Sequence, residues 1–83
     1  MTAQVALVVA EWCPVCPSAR ELWRSLRKEA DFHYDEVDIA TPLGEKLVSE
    51  FNILSVPTTI IDGTVAFVGV PERDEAIRRV TKG

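Results

Sequence analysis

The chain has 83 residues, 47% of them hydrophobic and 27% charged, which suits one small domain and leaves no room for a second. Nine basic and thirteen acidic side chains leave a formal net charge of −4, which argues against nucleic acid or an anionic membrane as partner. The only two cysteines are three residues apart, and a loop that small staples almost nothing, so a structural disulfide is a poor explanation for them.

Met1-Thr2-Ala3-Gln4 lacks the basic start of a secretory signal. The apolar stretch from Val5 to Ala10 is too short for a signal core or a membrane span. A soluble cytoplasmic protein is the expectation. Val5-Ala6-Leu7-Val8-Val9 is apolar without alternation, which predicts a central strand buried on both faces. After it comes Glu11-Trp12-Cys13-Pro14-Val15-Cys16-Pro17. From Cys16, the positions Ala19, Leu22, Trp23 and Leu26 follow the spacing of an amphipathic helix, with Arg20, Glu21, Arg24, Arg27 and Lys28 between them. Pro17 cannot donate a hydrogen bond to the carbonyl of Cys13, which predicts an adjusted first turn.

Phe32 to Ile39 reads as a second strand, with Phe32, Tyr34, Val37 and Ile39 inward. Thr41-Pro42 supplies an N-cap and a first-turn proline. Leu43, Leu47, Val48 and Phe51 then form a helix stripe that Gly44 weakens. Thr58 to Ile61 and Thr64 to Val68 are β-branched runs joined by Asp62-Gly63, a hairpin signal of type I′. Pro71 opens a last helix with Ala76, Ile77 and Val80 on its inner face. The predicted order is β-α-β-α-β-β-α. A crossover makes strands one and two parallel, and the hairpin makes strands three and four antiparallel. The expected fold is one α/β domain over 1–83, a four-stranded mixed sheet with helices on both faces.

The cysteines carry the chemistry. In the first turn of a helix their spacing brings the Cα atoms within the roughly 4.4–6.8 Å that a disulfide needs. Cys13, expected at the exposed mouth of the helix, is the candidate nucleophile, because unpaired N–H groups and the helix dipole favour a thiolate there. Cys16, one turn in, is the candidate resolving thiol. A zinc site needs four ligands, whereas the chain offers two cysteines and a distant His33, so only a dimer could complete it. A c-type haem signature needs His after Cys16, where Pro17 stands. Pro14 restricts the loop between the thiols. Trp12 offers a flat contact surface, while Trp23 belongs to the core. Glu11 opposes thiolate formation beside it. Pro57, in Val56-Pro57-Thr58, marks the entrance to a strand.

Taken together, Trp12-Cys13-Pro14-Val15-Cys16, Ser55-Val56-Pro57-Thr58-Thr59, Asp62-Gly63 and Val68-Gly69 resemble the thioredoxin/glutaredoxin family over nearly the whole chain. The likeness is to the small glutaredoxin-like thioredoxins of archaea and some bacteria, and it implies a minimal thioredoxin fold. It also implies a cis peptide before Pro57 and pairing of the Val56 backbone with an extended substrate segment. Gly69 matches the glycine that keeps the contact surface open. Two departures stand out. Leu7 occupies the position where thioredoxins carry a buried Asp that accepts the resolving thiol's proton, which leaves water or another group, such as Glu11, for that task. Ala10 and Glu11 stand where glutaredoxins carry a basic residue for glutathione.

The expected function is a dithiol oxidoreductase that reduces protein disulfides through Cys13 and Cys16, with Trp12, Pro14, Val56, Pro57 and Gly69 at the substrate. No cofactor or metal is expected beyond the redox-active cysteine pair. The expected partners are disulfide-containing proteins and a reductase, with the protein itself a monomer. The alternatives are a glutathione-dependent glutaredoxin and a metal- or cluster-binding module.

Overall fold

Alternation and helical periodicity translate into seven elements in a computed structural model that describes residues 2–81. They are β1 (Ala3–Val9), α1 (Cys16–Leu26), β2 (Phe32–Asp38), α2 (Pro42–Glu50), β3 (Thr58–Ile61), β4 (Thr64–Val68) and α3 (Arg73–Thr81). The order is the expected one. The sheet is arranged β2-β1-β3-β4, with β1 parallel to β2 and antiparallel to β3, and β3 antiparallel to β4.

Three boundaries differ from expectation, each for a local reason. β1 begins at Ala3 rather than Val5, because Ala3 and Gln4 already pair with Phe32 and His33. Asp62 reinforces that start: its carboxylate accepts the Gln4 N–H at 2.9 Å, and its own N–H donates to the Gln4 carbonyl at 2.9 Å. β2 stops at Asp38, whose carboxylate accepts the Ala40 N–H at 2.8 Å and turns the chain before Ile39 can extend the strand. α3 begins at Arg73, not Pro71. Glu72 acts as its cap, with its carboxylate accepting the Asp74 N–H at 2.8 Å and its carbonyl accepting the Ala76 N–H at 2.9 Å.

The main core fills the space between the sheet and the pair α1 and α3. Val5, Leu7 and Val9 of β1 meet Ala19, Trp23 and Leu26 of α1 and Ala76 and Val80 of α3 there. Trp23 is its centre. The ring makes an edge contact with Phe32, stacks near Tyr34 and tilts against Phe67, and its Nε1–H donates to Thr59 Oγ1 at 3.1 Å. That bond satisfies the one polar atom of a fully buried indole. A bulge in β3–β4 leaves Ala66 unpaired, which lets Phe67 oppose Thr59 while Val65 opposes Ile60. The opposite face is buried at Val8, Thr58 and Ile60 and open at Gln4, so β1 is covered on both faces only in its second half.

The α2 stripe is narrower than predicted. Leu43 is exposed, and Gly44 is the buried residue of the helix. Thr41 caps it as expected, accepting the Gly44 N–H at 3.0 Å. Gly44 is a close-approach residue rather than a weak point: a Cβ there would lie 1.9 Å from the Asp38 carbonyl oxygen at the end of β2. In an open helix Gly→Ala gains up to about 1 kcal/mol. Here we expect Gly44→Ala to lose about 1–3 kcal/mol through overpacking. Denaturant titration checks this, and a raised midpoint would contradict the packing described.

Candidate functional site

Three separated stretches of chain meet at the C-terminal end of β1. The first is the turn from Ala10 to Cys16. The Cys13 N–H donates to the Ala10 carbonyl at 3.2 Å, which ends the strand and turns the chain toward α1. Val15 is the N-cap residue of α1 and offers no side-chain cap, and the first helical turn carries no acidic residue. Pro17 is therefore within the first turn, where its missing N–H would have had no helical partner anyway. Because α1 starts only at Cys16, Pro17 forces no adjustment of the kind expected; Ser18 donates to the Val15 carbonyl at 3.2 Å in a three-residue step and Ala19 to the same oxygen at 3.4 Å.

The sulfur of Cys13 fills the place of the missing cap. It accepts the Cys16 N–H at 3.2 Å. Both cysteines are free thiols. Cys13 is 5% exposed and Cys16 fully buried, so Cys13 is the more accessible of the two but lies deeper than an exposed helix mouth would place it. The cover is the Val56 carbonyl, 3.6 Å from the Cys13 sulfur. Burial opposes ionisation of Cys13, but hydrogen bonds from Cys16 and the backbone N–H groups, with the charge of Arg20, bring its pKa below the ordinary thiol range. Cys16 moves the other way: burial raises it first, and the neighbouring Cys13 raises it further. The two thiols are pushed apart by their surroundings.

The second stretch is 51–58. α2 ends with Asn52 in the left-handed region (φ 52°), and the Ile53 N–H returns to the Val48 carbonyl at 3.0 Å. This is a Schellman stop, and it directs Ile53 and Leu54 toward the cysteine turn. Leu54 is 97% exposed and Trp12 73%; with Ile39, Val48, Ile53 and Val56 they line a shallow apolar groove beside Cys13. The Val56–Pro57 peptide is cis. Thr58 Oγ1 donates to the Ser55 carbonyl at 2.7 Å and braces this turn. The third stretch is Gly69, whose N–H donates to the Pro57 carbonyl at 2.7 Å. Its φ of 88° favours glycine, while an added Cβ would meet nothing within 4 Å, so conformation rather than space selects it.

The structure thus gathers Trp12, Cys13, Pro14, Cys16, Val56, Pro57 and Gly69 at one end of the sheet. Glu11 is exposed nearby, and His33 is exposed on β2. Sequence reasoning missed the groove residues Ile39, Val48, Ile53 and Leu54. The available signal was the apolar pair Ile53-Leu54 stranded in a loop just before Val56-Pro57. Among the described residues, no helix is long and apolar enough to cross a membrane, and no group of three or more His, Cys, Asp or Glu side chains is placed to hold a metal ion.

Comparison with known proteins agrees with this geometry. A family model described as a thioredoxin domain matches residues 1–81. A probable thioredoxin of Methanothermobacter thermautotrophicus is 29% identical over 80 residues, covering 96% of this chain and 94% of that protein. A thioredoxin of Methanocaldococcus jannaschii is 25% identical, covering 95% and 93% respectively. Among solved structures, a mutant thioredoxin from Halobacterium salinarum superposes with a TM-score of 0.81 at 21% identity, covering 98% of this chain and 74% of that one. A protein disulfide oxidoreductase from Aeropyrum pernix superposes at 0.75 with 23% identity, covering 95% of this chain and 36% of that one. The chain belongs to the thioredoxin family and is a thiol–disulfide oxidoreductase.

Proposed function

We propose that the protein reduces disulfides in other proteins, with Cys13 attacking and Cys16 resolving. The observation that carries this reading is the sulfur of Cys13 accepting the Cys16 N–H at the start of α1, on a thiol whose pKa is lowered while its neighbour's is raised. Two titratable groups driven apart in this way divide naturally into an attacking thiolate and a reserve thiol. The Cys13 thiolate attacks one sulfur of the substrate disulfide, and the other leaves as a thiolate that takes a proton. Cys16 then gives up its proton, attacks the Cys13 sulfur of the mixed disulfide, and releases the second substrate thiol. The substrate gains two electrons and two protons, and the chain is left with a Cys13–Cys16 disulfide that a reductase must reduce.

The groove between Trp12 and Leu54 supports a protein rather than a small-molecule substrate. It is apolar, shallow and next to the attacking sulfur, and the Val56 backbone beside it can pair with an extended segment. Ala10 and Glu11 provide no cation for a glutathione carboxylate. Work on reduced protein thiols is consistent with a cytoplasmic setting.

We expect Cys13 to be alkylated about tenfold faster than Cys16 at neutral pH, because it is both the more ionised and the more accessible thiol. Peptide mapping after brief labelling checks this, and faster labelling of Cys16 would reverse the roles. We also expect turnover of insulin disulfides with dithiothreitol as reductant, with Cys13→Ser at background. Cys16→Ser should accumulate a mixed disulfide on Cys13. Wild-type activity no higher than that of Cys13→Ser would refute the enzymatic reading, and turnover with glutathione as sole reductant would move it to a glutaredoxin.

A further inference from the structure

The Cys13 sulfur makes two hydrogen bonds that respond oppositely to its ionisation. It accepts the Cys16 N–H at 3.2 Å, and as a thiol it donates to the Val56 carbonyl at 3.6 Å. Loss of the proton strengthens the first bond, because an anionic sulfur is the better acceptor. It abolishes the second and leaves the negative end of a carbonyl dipole facing a thiolate. With Cys13 only 5% exposed, water has little access to screen that encounter. The Val56 carbonyl therefore opposes the ionisation that the Cys16 N–H favours.

Among the described residues the Val56 carbonyl accepts no other hydrogen bond, and the Val56 N–H donates none. Both groups stand outside the sheet, since β3 begins only at Thr58. Val56 is half-buried while Leu54 and Ser55 before it are exposed, which leaves an approach for an incoming segment. In an antiparallel pair, one residue gives its N–H and its carbonyl to the same partner. The carbonyl that a substrate strand needs is thus the one that the resting thiol holds.

The elements around the sulfur add few charges. β1, residues 51–58 and residues 64–71 carry no ionisable side chain. The titratable and charged groups are Cys16 and Arg20 on α1 and Glu11, exposed on the cysteine turn.

We propose that the Cys13 thiol latches the Val56 carbonyl, and that a polypeptide disulfide opens the latch by donating a backbone N–H to that oxygen, freeing the sulfur to ionise. The inference rests on the dithiol mechanism and the strand pairing proposed above. On docking, the substrate N–H replaces the S–H at the oxygen and the thiol proton passes to solvent. The thiolate then attacks the nearer sulfur of the disulfide, and the other sulfur leaves with the bonding electron pair. The coupling is reciprocal: an ionised Cys13 leaves Val56 free and so favours binding of an extended segment. The substrate class follows from this. A disulfide flanked by free backbone N–H groups activates its own nucleophile, whereas a small disulfide without them meets the latched thiol.

The experiment is single-turnover oxidation of the reduced protein by excess peptide, followed by tryptophan fluorescence across pH. The probe is the symmetric disulfide of the capped peptide alanine-valine-cysteine-valine-alanine, together with versions in which each central backbone N–H is methylated in turn. The saturating rate reports ionisation in the complex, and iodoacetamide alkylation of Cys13 reports it in the free protein. With the parent peptide the acid limb should lie about half a pH unit below that of the free protein, which is about threefold in rate at low pH. One methylated peptide should lose that displacement. Coincident limbs for the parent peptide overturn the proposal, as does a displacement that survives every methylation. Methylation that only raises the concentration for half-saturation shows docking without a latch, and overturns it too. If saturation is not reached, the carbonyl carbon shift of Val56 in the reduced protein decides. An upfield move sharing the Cys13 midpoint supports the latch, and its absence overturns it. Equal rates for wild type and Cys13→Ser would instead refute the dithiol mechanism.

Discussion

The site depends on a helix that begins without a cap. α1 starts at Cys16 after Val15, a residue with no side chain able to satisfy the first backbone N–H groups, and no carboxylate stands in the first turn. An uncapped N-terminus pressed against a strand end is unfavourable unless some acceptor enters it. The acceptor is the Cys13 sulfur, at 3.2 Å from the Cys16 nitrogen. A thiolate is a far better acceptor than a thiol, so the structural requirement of the helix and the chemical requirement of the nucleophile coincide. An ordinary Ser or Asp cap at Val15 would compete with the sulfur for the same N–H groups.

The remaining parts of the site keep that sulfur in place. β1, at the centre of the sheet, fixes where the cysteine turn begins, and Trp23 holds α1 against the sheet through its bond to Thr59. The Schellman stop after α2 delivers Val56 over Cys13, and Gly69 secures Pro57 from the hairpin side. The contact between Val56 and Cys13 joins residues forty-three positions apart. Loss of any one element would move the cover over Cys13 without touching a cysteine.

Much of this was legible in the residues. The apolar run of β1, the spacing of Cys13 and Cys16, Thr41 as a cap and Asp62-Gly63 as a turn each express a local rule, and both turn residues take the positive φ that a type I′ turn demands. What was misread depends on partners distant in sequence. Gly44 looked like a helix defect because its reason is the Asp38 carbonyl on another element. Leu43 looked like core because periodicity cannot tell how wide a buried stripe will be. The burial of Cys13 was invisible because Val56, which covers it, is forty-three residues away.

The central claim is that the first turn of α1 stabilises the Cys13 thiolate while burial holds Cys16 protonated. The most direct test follows the Cβ chemical shifts of both cysteines by NMR across a pH titration of the reduced protein. The account predicts that Cys13 titrates first, below the ordinary thiol range, and Cys16 well after it. Cys16 ionising first, or both titrating together as unperturbed thiols, would contradict it.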